Sequence, residues 1–148
     1  MALQIGDRAP EIHVGGFKLS KLKGKRVVIF FFPKSDTPGC TVEACEFRDD
    51  VKKFKKQDAE IIGISPDEAV AQQKFIGKYS LPFELVPDTD HSVAEAYDVW
   101  KEKSMYGRKY MGVERTTFVV DAQGKIAKIF NKVKPEGHSA QVLEVLAE

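Results

Sequence analysis

The chain has 148 residues, of which 43% are hydrophobic and 30% are charged, and its formal net charge is +1. The composition is typical of a soluble globular protein, and the near-neutral charge gives no sign of a nucleic-acid or membrane partner. The length suits one domain over residues 1–148. The N-terminus lacks a secretion-signal pattern, and the longest apolar run, residues 27–32, is too short to cross a bilayer. We therefore expect a cytosolic protein, in which ordinary thiols stay reduced.

Strands and helices are predicted to alternate in the first half of the chain. Residues 27–32 (VVIFFF) are β-branched or aromatic throughout, which predicts a strand buried on both faces. A helix is predicted from about Gly39 to Gln57, because apolar residues recur there every three or four positions, at Cys40, Ala44, Phe47, Val51 and Phe54. Residues 60–64 (EIIGI) predict a second buried strand. Ser65 is expected to cap a helix that reaches about Tyr79.

The second half predicts a short helix, a hairpin and a C-terminal helix. Asp90 is expected to cap a short helix that ends at Tyr97. Strands at Thr116–Val120 and Lys125–Phe130 flank the turn sequence Asp-Ala-Gln-Gly, and Ser139 is expected to cap the last helix. The element order β-α-β-α followed by β-β-α predicts an α/β protein. Periodicity alone does not separate a thioredoxin-like sandwich from other three-layer α/β folds.

The chain contains two cysteines, Cys40 and Cys45. Cys40 follows Gly39 at the predicted start of a helix, where unpaired backbone N–H groups and the positive end of the helix dipole favour the reactive thiolate. Thr37 can place a hydroxyl beside this sulfur, and Pro33 fixes the exit from the strand. Unpaired cysteine is also among the most buried residue types and is usually inert. Position alone therefore leaves both interpretations of Cys40 open.

The spacing of the two cysteines indicates a change of conformation. If residues 40–45 are helical, five positions correspond to about 500° of rotation, which leaves the side chains roughly 140° apart. The two Cα atoms are then roughly 8.7 Å apart, beyond the limit of about 7 Å for a disulfide. A bond between Cys40 and Cys45 therefore requires the helix to unwind. This arrangement suits an enzyme in which one cysteine is oxidised alone and is then captured by the other.

The pattern Pro33-x-x-x-Thr37-x-x-Cys40 resembles the active-site pattern of peroxiredoxins. The surrounding FFPKSDTPGCTVEACEFRD is similar to the subgroup known as bacterioferritin comigratory protein or peroxiredoxin Q. The likeness continues through residues 97–107 and 112–121, so it covers nearly the whole chain. This resemblance implies a thioredoxin-like α/β fold, with a central mixed β-sheet flanked by helices, and it implies no cofactor.

The resemblance also implies the roles of individual residues in reducing hydrogen peroxide and organic hydroperoxides. Cys40 would attack the O–O bond and become a sulfenic acid, with Thr37 beside the peroxide oxygens and Pro33 completing the motif. Arg115 matches the active-site arginine of the family, where a fixed cation favours the thiolate and holds the peroxide. Cys45 would close an intramolecular disulfide, which thioredoxin or a similar dithiol reductant would reduce. This antioxidant cycle needs only one chain, so we expect a monomer, with a dimer as the alternative.

The cysteine spacing and the scattered histidines bear on the alternative functions. A thioredoxin-type oxidoreductase requires Cys-x-x-Cys, but position 43 is Glu43, which is expected in the first helical turn, where an acid stabilises the helix end. A redox sensor or chaperone-like binding protein, in which a disulfide controls surface exposure, stays open. No metal site is predicted, because the three histidines are scattered along the chain, and no phosphate-binding loop is present.

Overall fold

The structure is a computed structural model that describes residues 3–148. Its strands are β1 (His13–Val14), β2 (Phe17–Lys18), β3 (Arg26–Phe31), β4 (Ala59–Ser65), β5 (Glu84–Pro87), β6 (Trp100–Met105), β7 (Arg108–Val113), β8 (Thr116–Val120) and β9 (Ile126–Phe130). Its α-helices are α1 (Pro38–Asp49), α2 (Val51–Lys56), α3 (Ala69–Tyr79), α4 (Ser92–Ala96) and α5 (His138–Ala147). A 3-10 helix covers Leu19–Leu22. No helix in this part of the chain is long and apolar enough to span a membrane.

Five strands form a mixed central sheet in the order β5-β4-β3-β8-β9. Strand β3 lies in the middle, parallel to β4 and antiparallel to β8. Strand β5 extends the parallel side, and β9 extends the antiparallel side as the partner of β8 in the predicted hairpin. The expected mixed sheet flanked by helices is therefore confirmed.

The core lies on both faces of β3 because successive side chains of a strand point in opposite directions. Ile29 and Phe31 pack with residues of α4 and of the N-terminal segment. Val28 and Phe30 pack on the other face, against α1, α2, α3 and α5. An all-apolar strand of this kind requires cover on both sides, and the helices provide it. The helix that carries both cysteines starts at Pro38, after a six-residue loop that leaves the carboxyl end of β3.

The helix predicted over Gly39–Gln57 is divided into two helices at Asp50. The backbone at Asp50 has φ −98° and ψ 6°, which ends α1 and starts α2 after one residue. The Asp50 carboxylate accepts a hydrogen bond of 2.7 Å from the Ser139 hydroxyl, so a tertiary contact stabilises the interruption. The apolar stripe continues across the break, with Phe47 and Phe54 both buried.

The predicted cap at Ser65 is wrong, and α3 begins three residues later than expected. Ser65 ends β4, and its hydroxyl donates to Asp67 at 2.8 Å. Glu68 occupies the N-cap position of α3, without a side-chain capping bond. The predicted cap at Ser139 is also wrong, because Gly137 takes the N-cap position of α5. In both places the serine hydroxyl bonds to a carboxylate instead of to the end of a helix.

The short helix α4 starts two residues after Asp90, but the main acceptor for the free N–H groups of its first turn is the carboxylate of Asp88. The buried Asp88 carboxylate accepts bonds from the backbone N–H groups of Val93 and Ala94, at 3.0 and 2.9 Å. Asp90 accepts the N–H group of Ser92, at 3.1 Å. Asp88 therefore stabilises the start of α4, because its carboxylate replaces backbone acceptors that the first turn lacks.

The hairpin of β6 and β7 was not predicted by the hydrophobic pattern. Its two strands pair in full antiparallel register from Trp100↔Val113 to Met105↔Arg108. Charged residues occupy both faces, so the alternation typical of a half-buried strand is absent. The turn residues Tyr106 and Gly107 have φ values of 52° and 77°, and this pattern of two positive φ angles is favoured in two-residue hairpins.

Candidate active site

Cys40 is the third residue of α1, and its side chain is only 1% exposed. Thr37 is the N-cap residue, and the first backbone bond of the helix runs from the Thr41 N–H to the Thr37 carbonyl at 2.8 Å. Pro38 has no N–H group, so the N–H groups of Gly39 and Cys40 itself are the free donors of the first turn. The sulfur therefore lies at the positive end of the helix dipole, as predicted.

Arg115 brings a cation to this sulfur from the short connection between β7 and β8. Its Nη2 atom lies 3.3 Å from Cys40 Sγ, and its Nη1 atom lies 2.9 Å from Glu43 Oε1. Burial on its own lowers the pKa of Arg115, but the Cys40 thiolate and the Glu43 carboxylate outweigh it, so the pKa is raised. Arg115 is therefore a fixed positive charge that contacts the thiol directly.

Gly39 permits this close contact because it has no side chain. A Cβ atom at Gly39 would lie 3.2 Å from Arg115 Nη2 and 3.4 Å from Pro135 Cγ. Both distances are at or below the tight end of ordinary carbon contacts. A larger residue at position 39 would therefore displace the guanidinium from Cys40.

Glu43 is part of the same cluster, which the sequence analysis did not foresee. It lies in the second turn of α1, not the first as expected, and its side chain is 1% exposed. Glu43 Oε1 accepts the bond from Arg115, whereas Oε2 has no hydrogen-bond partner among residues 3–148. Burial raises the pKa of Glu43 to about 7, although the Arg115 cation acts in the opposite direction. The three-residue offset from Cys40, which puts both side chains on one helix face, was the available signal.

We expect Glu43→Gln to remove a pH dependence of stability. Between its ordinary pKa of 4.5 and the folded value of about 7, Glu43 holds a proton that the unfolded chain has released. The wild-type free energy of unfolding therefore falls as pH rises through this window, by up to about 3 kcal/mol. Urea unfolding between pH 5 and pH 8 should show E43Q gaining stability relative to wild type as pH rises. Parallel pH profiles would contradict this, and E60Q, a change at a surface carboxylate, is the control.

Thr37 and Pro33 lie in the loop that leads into α1. The Thr37 hydroxyl donates to the Lys34 carbonyl at 2.8 Å and makes no capping bond to the helix. Its proton is therefore committed, and its oxygen lone pairs remain available as acceptors. Pro33 follows the end of β3 and contributes no backbone donor to the loop.

This loop is anchored to the neighbouring elements by side chains that the sequence analysis did not identify. The Asp67 carboxylate accepts bonds from both the backbone N–H and the hydroxyl of Ser35, each at 2.7 Å. Asp36, with a left-handed φ of 61°, accepts bonds from Lys78 at 3.0 Å and Tyr79 at 2.9 Å. The chain just before Cys40 is therefore held in place from α3 and from the segment that precedes it.

Cys45 lies five positions after Cys40 in the same continuous helix, α1. Both cysteines are free thiols, and Cys45 is partly exposed whereas Cys40 is buried. The prediction that residues 40–45 are helical is therefore confirmed. In this state, helical geometry keeps the two side chains on different faces.

Comparisons with known proteins identify the family of the chain. The AhpC/TSA family matches residues 5–129. The chain is 46% identical to peroxiredoxin Bcp of Bacillus subtilis over an alignment of 153 positions, which covers 100% of this chain and 98% of that protein. A solved structure of Xanthomonas campestris peroxiredoxin Q has a TM-score of 0.85 and 39% identity, covering 88% of this chain and 83% of that one.

A second solved structure is that of the Xanthomonas campestris bacterioferritin comigratory protein, which is described by its alkyl peroxide reduction activity. Its TM-score is 0.85 and its identity is 38%, with the same coverage of 88% and 83%. The expected thioredoxin-like fold is confirmed by these neighbours together with the mixed sheet. The chain therefore belongs to the AhpC/TSA family, among the peroxiredoxins of the Bcp and Q type, and it is a thiol peroxidase.

Proposed function

We propose that this peroxidase reduces hydrogen peroxide and organic hydroperoxides at Cys40, resolves the product with Cys45, and is recycled by thioredoxin or a similar dithiol protein. The Cys40 thiolate attacks the terminal oxygen of the hydroperoxide, and the O–O bond breaks. Cys40 becomes a sulfenic acid, and the departing hydroxide or alkoxide takes a proton from solvent. The observation that carries this proposal is the Arg115 guanidinium, 3.3 Å from the sulfur at the start of α1.

The neighbouring groups suit the attack on a hydroperoxide. Because the Thr37 proton is already donated to Lys34, the Thr37 oxygen accepts the O–H group of the substrate and turns its terminal oxygen toward the sulfur. The free N–H groups at the start of α1 and the Arg115 cation stabilise the charge on the departing oxygen. Pro33 keeps a competing backbone donor out of the loop. Cys40 is 1% exposed, so we infer that the substrate presents its small terminal O–H group to the sulfur and keeps any organic remainder outside.

Resolution requires Cys45 to reach the oxidised sulfur. The Cys45 thiol attacks the sulfenic acid, an S–S bond forms, and the hydroxyl leaves as water. Helical geometry prevents this reaction while residues 40–45 remain in α1, so part of the helix must unwind first.

The contacts of α1 indicate which part unwinds. The C-terminal half is tied to other elements: Glu46 accepts the Gly137 N–H at 2.9 Å, and Arg48 donates to the Tyr79 carbonyl at 2.8 Å. Among residues 3–148, the side-chain hydrogen bonds of residues 38–45 are only those that Cys40 and Glu43 make with Arg115. The anchored loop before α1 stays in place as well. We therefore infer that residues 38–45 unwind as one unit between two fixed ends.

Substrate, reductant and assembly follow from the same cycle. Organic hydroperoxides are included because a relative of 38% identity is described by its alkyl peroxide reduction activity. A dithiol protein such as thioredoxin reduces disulfides efficiently, and the cytosol supplies such reductants. A monomer suffices, because one chain provides both Cys40 and Cys45.

We expect Arg115→Ala to slow the reaction with hydroperoxide by about a hundredfold, because the variant loses a charged donor at the reacting atoms. The rate is measured by stopped-flow consumption of hydrogen peroxide under single-turnover conditions. Arg115→Lys should lose less, since it keeps the charge but cannot bridge Cys40 and Glu43 together. Arg8→Ala, which changes an exposed arginine distant from Arg115 in the sequence, is the control. A rate for R115A within twofold of wild type would remove Arg115 from the reaction.

Multiple turnover separates this function from a redox sensor or chaperone-like protein. With thioredoxin, thioredoxin reductase and NADPH in excess, the wild-type chain should consume many equivalents of hydroperoxide per chain. A sensor would react with one equivalent and stop. Such a stop in the wild-type chain, with a thioredoxin system shown to be active on another disulfide, would overturn the proposed recycling.

A further inference from the structure

Lys103 lies on the β6–β7 hairpin with its side chain directed toward the base of the hairpin. In the register of the hairpin it pairs with Tyr110, while Gly112 pairs with Lys101. The stem of Lys103 nevertheless lies over Gly112, since its Cδ and Cε atoms are 3.3 and 3.6 Å from where a Gly112 Cβ would be. Gly112 is two residues nearer to Arg115 than Tyr110 is. The lysine side chain therefore runs back along the hairpin toward the active-site arginine.

The ammonium group of Lys103 is held without a partner in the part of the chain that the structure describes. The side chain is half-buried, yet it makes neither a hydrogen bond nor an ion pair with any of residues 3–148. Two other lysines of the hairpin are paired, Lys101 with Asp98 at 3.3 Å and Lys109 with Glu102 at 3.6 Å. A partly buried and unpaired ammonium group is unfavourable unless another charge compensates it.

The compensating charges belong to the active site and the residue next to it. Burial lowers the pKa of Lys103, and the Arg115 cation lowers it further, whereas the Cys40 thiolate and the Glu114 carboxylate raise it. Arg115 and Lys103 repel each other, so a neutral thiol would leave both cations without the compensation that the Cys40 thiolate provides. An ionised sulfur relieves this repulsion because it attracts both.

We propose that Lys103 is a second cationic positioning residue of the peroxidase site, which acts with Arg115 to hold Cys40 in its thiolate form. The inference rests on the proposed role of Cys40 as the nucleophile. Lys103 acts through the electric field and need not touch the hydroperoxide. Gly112 leaves room for the Lys103 side chain, since a Cβ atom at position 112 would lie only 3.3 Å from Lys103 Cδ.

The test measures the ionisation of Cys40 directly and does not depend on turnover. In a Cys45→Ser background, Cys40 is the sole thiol, and its rate of alkylation by iodoacetamide is followed from pH 4 to pH 9. Lys103→Met should move the midpoint of this profile upward by about half a pH unit to one unit, and reduce the rate below the midpoint about three- to tenfold. Lys103→Arg should keep the parent midpoint. Lys109→Met removes a charge from the opposite face of the same hairpin and should also keep it.

The outcomes distinguish an effect of the Lys103 charge on the midpoint from an effect of Lys103 packing. Equal midpoints for K103M and the parent would overturn the inference, and so would equal shifts in K103M and K103R, since packing would then explain the effect. A shift in K109M as large as that in K103M would also overturn it. Circular dichroism and thermal unfolding of each variant verify that the fold is intact. The proposed function fails by a different result, namely hydroperoxide turnover in a chain without Cys40.

Discussion

Replacing Cys40 with serine is expected to abolish hydroperoxide reduction, with a loss of at least about a thousandfold. A serine hydroxyl is not ionised at neutral pH, and its oxygen cannot pass through a sulfenic acid and a disulfide. The substitution is close to isosteric, so the buried position should stay filled and Arg115 should keep its bond to Glu43. The measurement is the initial rate of hydrogen peroxide consumption with the thioredoxin system present in excess.

The matched control for Cys40→Ser is the thermal unfolding of the same variant, which should resemble that of the reduced wild-type chain. A folded C40S chain that still consumes hydroperoxide within tenfold of the wild-type rate would show that another group is the nucleophile. The sequence contains one other thiol, Cys45, so that result would point to it.

Replacing Cys45 with serine is expected to leave the first oxidation intact and to prevent recycling. The environment of Cys40 at the start of α1, including Arg115, does not involve Cys45, so the attack on the hydroperoxide should keep its rate. The sulfenic acid then has no resolving thiol in the chain. With thioredoxin present, C45S should consume one equivalent of hydroperoxide per chain and then stop.

Intact-mass spectrometry identifies the product of that single turnover. C45S should gain one oxygen atom, and dimedone should trap the modified residue at Cys40. The wild-type chain, treated in the same way, should instead lose two hydrogen atoms as the disulfide closes. Turnover of C45S with thioredoxin at the wild-type rate would mean that the reductant itself resolves the sulfenic acid.

The start of α1 could be predicted from sequence because its signals are local. A buried strand, a Pro-Gly pair and an apolar stripe at helical spacing together placed Cys40 in the first turn. Arg115 is 75 residues away in the sequence, and no local pattern connects the two. The antiparallel pairing of β3 with β8 sets Phe31 opposite Thr116, so the residue before β8 arrives beside the active-site loop. That pairing belongs to the topology, so the signal for Arg115 came from the family resemblance and not from a local pattern.

The residues that were missed or misplaced depend on partners that are distant in the sequence. The hydroxyls of Ser65 and Ser139 were predicted to cap helices, but carboxylates brought near by folding accept their hydrogen bonds instead. Glu43 was expected only to stabilise the end of the helix. Its burial against Arg115 depends on the pairing of β3 with β8, which no local pattern reveals. Lys103 gave no signal, since the hydrophobic pattern of the hairpin is too weak to predict its strands.

Hydrogen exchange across α1, before and after one equivalent of hydroperoxide, tests most directly whether the cysteines meet by unwinding of the helix. The amides of residues 41–49 should lose protection on oxidation, because their helical acceptors are the carbonyls of residues 37–45. The amide of Asp50, which bonds to the Glu46 carbonyl, and those of α5 should keep theirs. Reduction with dithiothreitol should restore the protection, and oxidised Cys45→Ser should never lose it. A wild-type chain that forms the Cys40–Cys45 disulfide while the amides of residues 41–49 remain as protected as in the reduced form would contradict the account.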